Sequence, residues 1–478
     1  MQIDKSNFSE WYNTIIKDAE LADLRSNVKG FVVFMPWSVV TMKKMYYFYE
    51  EELEKNGHVP AWFPSLLPES SLKKEAEHVE GFAPQVFWVT HAGNNKLEER
   101  YAMRPTSETI MYTMYALWIQ GINDLPLKIY QSCQVWRYET KATKPFIRSR
   151  EFHWIEAHDV FATEEQAFGQ VKEDMAMCEQ VIHKQFGIPF LFFKRPQWDK
   201  FPGAVNTYAA DTLMPDGKTL QLPSTHMLGQ NFSKQMNLKF TDDKGNSDYC
   251  WQTCYGPAIS RIYAALISTH GDEKGLIFPF DLAPIQIVLV PIYQKDNKEK
   301  VDEFCVKLIE DHLVKYKTKF DSKDERPGFK YNYWEMKGIP IRIEIGGRDI
   351  DKGSVVLFRR DKKEKFRVKL NDLEKKIQEV RQDILNYLVQ KADNWFNALL
   401  HEANDMDNLN NSLEKGGFVK VPFCTDQKQG EACAEMIKDK THGNVRGSLF
   451  NSEETPKNDK CIACGKKASI YQYVARQY

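Results

Sequence analysis

No long apolar run interrupts the 478 residues. The apolar stretches are short and broken by proline or charge, so none reaches the ~20 residues that a membrane-crossing helix needs. The stretch from Met1 to Asn7 has two charges and no apolar core, which argues against a secretion signal and for a cytoplasmic protein. Net charge is nearly absent as well: 65 Lys and Arg stand against 66 Asp and Glu. A polyanionic partner would have to be met by local patches, not by a global field. There is no internal repeat and no low-complexity tract, which excludes a solenoid or a largely disordered chain.

What is present is the balance of an ordinary globular protein, 42% hydrophobic and 27% charged. The length exceeds what one core organises and implies two or three domains. Nine cysteines are distributed unevenly. Cys133, Cys178, Cys250, Cys254 and Cys305 are scattered, whereas Cys424, Cys433, Cys461 and Cys464 fall in the last 55 residues. In a cytosolic chain such a cluster reads as metal ligation before disulfide. Cys461-x-x-Cys464 followed by Gly465 has knuckle spacing, which lets two thiolates share one tetrahedral ion. The pair Cys424 and Cys433 is looser. A redox Cys-x-x-Cys is the alternative, but no thioredoxin-like βαβ unit surrounds this one.

Periodicity predicts helices over Phe8 to Leu24, Val39 to Lys55 and Thr163 to Gly187. In the last, Thr163 and Gln166 form a capping box, Gly187 closes the helix, and Phe168, Val171, Met175, Cys178 and Ile182 make one stripe. After Pro284 the pattern changes. A short apolar strand (Ile285 to Ile292), a helix (Val301 to Tyr316), strands at Ile339 to Ile345 and Ser354 to Phe358, and a closing helix read as a small α/β domain. The closing helix carries Leu373, Ile377, Val380, Ile384 and Leu388 on one face. The Asn/Asp-rich stretch Asn404 to Ser412 reads as a linker or loop.

Three constellations carry chemistry. In Arg104-Pro105-Thr106-Ser107-Glu108, a hydroxyl and a carboxylate two residues apart can converge on an ammonium group; alone, the segment equally fits a helix N-cap with a first-turn acid. In Arg137-Tyr138-Glu139, a polar loop and Arg148 to Phe152, the pattern predicts a hairpin. Arg137 and Glu139 would share a strand face there, two arginines would suit phosphate or carboxylate, and Phe152 would offer an aromatic platform. An exposed hairpin with cross-strand ion pairs is the plain alternative. The third is Gly256 to Arg261 entering an apolar helix; Arg at a helix start opposes the macrodipole and calls for an anion or an aromatic plane.

In this order the three segments resemble the signature motifs of class II aminoacyl-tRNA synthetases. The helix Val39 to Lys55, with the strand ending at Phe63-Pro64, stands as motif 1. The resemblance sharpens to the prolyl-tRNA synthetase family of the archaeal and eukaryotic type and covers nearly the whole chain. It is carried by GFAPQVFWVTHAG (81–93), RPTSET (104–109), DLPLKIYQ (124–131), RYETK (137–141), RSREF (148–152), LQLPSTHMLGQNFSK (220–234), HGDEKGL (270–276) and RPGFKYNYWEMKGIPIRIEIG (326–346). Two places depart from the family pattern. The loop from Gly256 to Arg261 is one residue longer, and Ser224 stands where the family usually has Thr.

The resemblance implies an α+β catalytic domain with an antiparallel sheet (1–283), an α/β anticodon-binding domain (284–392) and a small α+β zinc-binding domain (393–478). It implies activation of L-proline with ATP and Mg²⁺ and transfer of the prolyl group to tRNA(Pro) by a homodimer. Arg137 and Arg261 would be catalytic. Phe82, Thr106, Glu108, Arg137, Trp154 and His226 would bind proline. Arg137, Glu139, Arg148, Phe152, Gln221, Ser224 and Arg261 would bind ATP. Lys330, Glu335, Arg342 and Arg348 would read anticodon guanines. Cys424, Cys433, Cys461 and Cys464 would hold a structural Zn²⁺, and the terminal Tyr478 would fold back toward the active site. The run Arg359 to Lys369 holds seven basic and two acidic residues, net +5, and is either a tRNA-facing patch or a solvated face. Too few residues separate motifs 2 and 3 for a bacterial-type editing insertion. Threonyl enzymes, which share such a core, hold a catalytic zinc with Cys and His, and the sequence reveals no such set near the pocket. A non-catalytic regulatory paralogue would lack motif arginines that are present here.

Overall fold

The computed structural model describes residues 4–76, 85–294 and 296–478. Its centre is an antiparallel sheet in which strands Leu191–Lys194, Asn206–Leu213, Thr219–Gly229, Trp251–Gly256, Glu151–Phe161 and Leu127–Trp136 lie side by side in that order. Val59–Pro60 closes one edge in parallel with Leu127–Trp136. Helices Pro36–Lys55, Glu164–Cys178 and Ile259–His270 pack against this sheet. Pro36 begins the first of these three residues earlier than its apolar pattern suggests, as suits proline's fixed φ in a first helical turn. The capping box of Thr163 and Gln166 forms as expected.

The second domain has a sheet of strands Thr318–Phe320, Ile287–Ile292, Ile341–Gly346, Ser354–Arg359 and Glu364–Lys369. The first three are parallel and the last two antiparallel. Helix Pro327–Met336 is an element the coarse reading did not contain. The closing helix, Leu373–Asn397, runs past residue 392 because Ala392 and Phe396 extend its buried stripe. The expected linker is a helix, Met406–Lys415. Asp405 caps it by accepting from the Asn408 amide at 2.8 Å, and Leu409 and Leu413 bury its inner face. Polar composition misleads there because Asn and Asp favour caps as well as loops.

The domains meet closely. Gly275 and Gly338 both have positive φ, and a Cβ on either would strike the opposite segment, at Met336 and Leu276 respectively. The tail strands Leu400–Glu402, Phe418–Phe423, Ile470–Ala475 and Asn444–Leu449 extend the central sheet through Ser448 and Leu449, which pair with Lys194 and Phe193. Eleven strands thus form one sheet among the described residues.

Candidate active site

A cavity of about 470 Å³ opens where the central strands face the loops at residues 137–150 and 256–261. Strand Glu151–Phe161 supplies one wall by simple alternation: Phe152, Trp154, Glu156 and His158 all line the cavity. Strand Thr219–Gly229 supplies another. Gln221 and Ser224 are three residues apart yet both face inward, because the pairing with Asn206–Leu213 skips a residue between them. A contiguous cavity of about 180 Å³ is lined by Arg137, Glu139, Arg148, Phe152 and Arg261, among others.

At one end, Glu108 opens helix Glu108–Trp118 and is buried. The Thr106 hydroxyl lies 2.5 Å from Glu108 Oε2 and 3.0 Å from Glu156 Oε1. Glu156 also accepts from the Ser107 amide at 3.0 Å and from the Ser107 hydroxyl. Burial opposes the Glu156 charge, but His158 and these hydroxyls hold its carboxyl below the usual range. Ser107 occupies the N-cap position of this helix and Glu108 its first turn, but the Ser107 hydroxyl is spent on Glu156 and makes no cap hydrogen bond.

Above this carboxylate end, His226 packs on Phe201 with ring centroids 4.7 Å apart. Thr207 and Ser224 hydroxyls contact its two ring nitrogens at 2.9 and 3.1 Å. Burial, and then the cations His158, Arg195 and Arg137, push His226 down to about 3, so its ring is neutral. The Arg137 guanidinium is open to the cavity and lies 5.2 Å from the Phe152 ring and 5.3 Å from Trp154; its Nε donates to Pro105 O at 3.0 Å.

Arg148 pairs with Glu139 at 3.7 Å. Arg261 sits in the first turn of helix Ile259–His270, and its Nη1 donates to Gln221 O at 3.1 Å. Burial and the like charges of Arg137 and Arg148 lower Arg261 to about 10, still cationic at neutral pH. Three guanidinium groups thus crowd one end of the cavity, an arrangement that favours a bound polyanion.

The structure brings together the sequence-predicted residues Thr106, Glu108, Arg137, Glu139, Arg148, Phe152, Trp154, Gln221, Ser224, His226 and Arg261. The longer loop before Arg261 leaves it inside the site. Phe82 lies outside the described residues. One local expectation needs correction: Arg137 and Glu139 lie beyond the strand, which ends at Trp136, and share a turn instead of a strand face. Residues the sequence reading missed include Glu156 and His158, which two further steps of the Phe152–Trp154 alternation would have found. It also missed Arg195, buried and forked onto Asp211 at 2.7 and 2.9 Å. Asp211 is shared with Arg446 of the tail at 2.8 Å. A Cys and His set near the pocket, which the sequence did not reveal, exists in space: Glu108, His158 and Cys254 meet on the cavity wall.

Tyr478 lines the same cavity and its hydroxyl donates to Asp216 at 2.8 Å. In the tail, Cys424, Cys433, Cys461 and Cys464 converge, their sulfurs all within 4.8 Å of one another. The expected guanine readers are placed differently. Lys330, Glu335 and Arg342 are buried. Lys330 donates to Asp321 O at 2.8 Å. Arg342 pairs with Glu335 and Glu344, both at 3.0 Å, and lies over the Tyr331 and Phe358 rings. Arg348 is exposed. In the basic run, Arg359, Arg360, Lys362, Lys363, Lys365 and Arg367 each pair with an acid of this chain, so the run is largely spent internally.

Comparison with known proteins follows the same division. Residues 87–270 match the family described as tRNA synthetase class II core domain (G, H, P, S and T). Residues 286–380 match an anticodon binding domain, and 406–478 match the prolyl-tRNA synthetase C-terminal family. A proline-tRNA ligase of Thermofilum pendens is 50% identical over 99% of this chain and 98% of its own length. One of Pyrococcus abyssi is 40% identical over 99% and 98%. Among solved structures, Giardia lamblia prolyl-tRNA synthetase in complex with prolyl-adenylate superposes with a TM-score of 0.95 at 34% identity, covering 100% of this chain and 99% of that one. The Cryptosporidium parvum enzyme complexed with halofuginone and AMPPNP gives 0.92 at 32%, with the same coverage.

Proposed function

The chain belongs to the prolyl-tRNA synthetases, a family of class II aminoacyl-tRNA synthetases, and on that premise we propose that it activates L-proline with ATP and transfers the prolyl group to the 3′ end of tRNA(Pro). In the first step a proline carboxylate oxygen attacks the α-phosphorus, the bond to the β-phosphate breaks and pyrophosphate leaves. The nucleophile is already ionised, so no general base is needed, and catalysis is positioning plus charge stabilisation. In the second step the tRNA 3′-hydroxyl attacks the adenylate carbonyl and AMP leaves.

The observation that carries this reading is the meeting of two opposite ends in one cavity: buried Glu108 with Thr106, and the cluster Arg137, Arg148 and Arg261. Glu108 and Thr106 suit the secondary ammonium of proline. The neutral His226 ring, with Trp154, suits its apolar ring. Arg137, between the two ends, would bridge the proline carboxylate and the α-phosphate, where charge develops. Arg148 would hold the outer phosphates of ATP, which enters as its Mg²⁺ complex. Phe152 and Arg261 would enclose the adenine with cation–π character. Glu139 would accept from the adenine amine, with Gln221 and Ser224 on the nucleotide side.

We further assign domains 1–283, 284–392 and 393–478 to catalysis, anticodon binding and zinc binding, with the closing helix carrying the second boundary on to Asn397. Four free thiols with convergent sulfurs fit one tetrahedral ion with no open position, hence a structural Zn²⁺. For the anticodon, exposed Arg348 is the candidate to touch a guanine. Lys330, Glu335 and Arg342 would shape the surface from within. A homodimer is supported by exposed apolar residues around the edge strand: Val59, Trp62 and Leu66, with Trp62 91% exposed. Charging tRNA for translation implies a cytoplasmic location, and among the described residues no helix is long and apolar enough to cross a membrane. The test is amino-acid-dependent ATP–pyrophosphate exchange. Proline should support it, and Arg137→Ala should lower its rate at least ~10²-fold. Exchange with threonine or serine and none with proline would sink the assignment.

A further inference from the structure

Three potential metal ligands on the cavity wall come from three separate elements. Glu108 opens helix Glu108–Trp118, His158 lies in strand Glu151–Phe161, and Cys254 lies in strand Trp251–Gly256. One ligand atom of each lies within 4.8 Å of the other two. Cys254 Sγ is 3.5 Å from Glu108 Oε1. Two ligands of a tetrahedral zinc ion, bonded at about 2.0 and 2.3 Å, stand about 3.5 Å apart. All three residues are buried, and all three line the cavity.

The surrounding contacts hold these groups as ligands are usually held. The Tyr112 hydroxyl lies 3.0 Å from His158 Nδ1, so Nε2, which lies 3.7 Å from Glu156 Oε1, is the nitrogen that would have to turn from Glu156 to an ion. Thr106 engages the second oxygen of Glu108. Such contacts to the far side of a ligand fix its orientation.

We propose that a thiophilic divalent cation, zinc in the physiological case, binds Glu108, His158 and Cys254 and excludes proline by taking the carboxylate that would receive its ammonium. On binding, the Cys254 S–H bond breaks, the sulfur–zinc bond forms, and the proton leaves to solvent. Any proton on His158 Nε2 leaves likewise. Free zinc would then restrain proline activation, as an activity separate from the structural ion of the tail. The competition rests on the proline reading of the cavity; occupancy by the metal does not.

The experiment uses the full-length enzyme with its tail site zinc-replete. Cadmium is titrated in the absence of substrates while thiolate-to-cadmium absorption is followed. One further equivalent should bind, and its signal should be missing in Cys254→Ser and Cys254→Ala. Zinc should raise the apparent KM for proline in ATP–pyrophosphate exchange without lowering kcat, and either variant should need at least ~10-fold more zinc for half inhibition. A cadmium signal unchanged in both variants overturns the site. So does zinc inhibition that lowers kcat alone or is the same in all three proteins. If this tail-replete enzyme, with no zinc added, shows no exchange with proline, the proline reading fails, and the cadmium titration still decides the metal site.

Discussion

Arg360 of the second domain closes a two-pronged ion pair on Asp272, two residues beyond the helix whose first turn carries Arg261. Nη1 and Nη2 reach the two carboxylate oxygens at 2.9 and 2.5 Å. Arg360 is buried, and its Nε also donates to Glu335 O at 3.2 Å. The HGDEKGL segment is therefore a docking strip for the anticodon domain, and part of the basic run serves this joint instead of tRNA. Burial alone would raise the Asp272 carboxyl, but Arg360 holds it well below the ordinary carboxylate range. A depressed folded-state value contributes stability above the unfolded value near ~4, lost as pH falls below it. Arg360→Ala should cost about 3 kcal/mol at pH 7, since it leaves a largely buried charge with only Lys363 at 3.3 Å and the Lys274 amide as partners among the described residues. It should also flatten the acid limb of the stability profile. Denaturant unfolding at pH 7 and pH 3 checks both.

Arg342 and Arg348 separate structure from recognition. Arg342→Ala removes the partner of two buried carboxylates, Glu335 and Glu344. It should destabilise the domain by about 3–5 kcal/mol, visible as a lower Tm. Arg348→Ala should leave Tm unchanged and proline-dependent exchange intact. It should weaken tRNA binding by about 1–3 kcal/mol if a guanine is its target. Charging assays with wild-type and anticodon-altered tRNA distinguish the two. Equal loss for both tRNAs would leave Arg348 without a base-reading role.

Much of this was legible before the structure. Phe152 and Trp154 mark one face of a strand, and its continuation to Glu156 and His158 needed only the period of two. The joint use of Gln221 and Ser224 was not legible from spacing, because a bulge breaks that period. The pairing of Arg342 was not legible for a different reason. Both Arg342 and Glu335 suit guanine edges, and nothing local announces that Glu335, seven residues earlier, pairs with Arg342. The Glu108, His158 and Cys254 cluster was invisible because its members are distant in sequence: strand pairing sets Cys254 opposite His158, and packing of a separate helix brings Glu108 to them.

The tail joins the proposed zinc site to the cavity. Its sheet joins the catalytic sheet at Ser448 and Leu449, and Tyr478 reaches the cavity. Elemental analysis should find about one structural zinc per chain. It should be lost in Cys461→Ser with Cys464→Ser, with exposure of Cys424 and Cys433 to thiol reagents. Because a metal supplies folding energy to so small a unit, exchange activity should fall through the loosened Tyr478. Metal-free protein with all four thiols freely reactive and full stability would refute the site.

Asp174 provides a test of the catalytic core by pH alone. It lies on helix Glu164–Cys178 facing the sheet, fully buried, with Thr225 and Gln170 donating at 2.5 and 2.8 Å. Burial, and then the charge of Asp159, push it up to about 7. In the unfolded chain it titrates near ~3.9. Between about pH 4 and pH 7 the folded state keeps a proton that the unfolded state has released. Stability from this group is therefore lost as pH rises through that window. Asn at this position carries no charge to bury, and its amide can donate to Gln170 Oε1, which is buried without a partner among the described residues. Asp174→Asn should thus be more stable than wild type by about 1–3 kcal/mol at pH 8 and by less at pH 5. His58, 3.2 Å from Asp159, also loses stabilising charge as pH rises, but it is present in both proteins and largely cancels in the difference. Chemical denaturation at the two pH values measures that difference. A difference that is flat, or larger at pH 5, would mean that Asp174 is ionised in the fold and that its partners stabilise the charge.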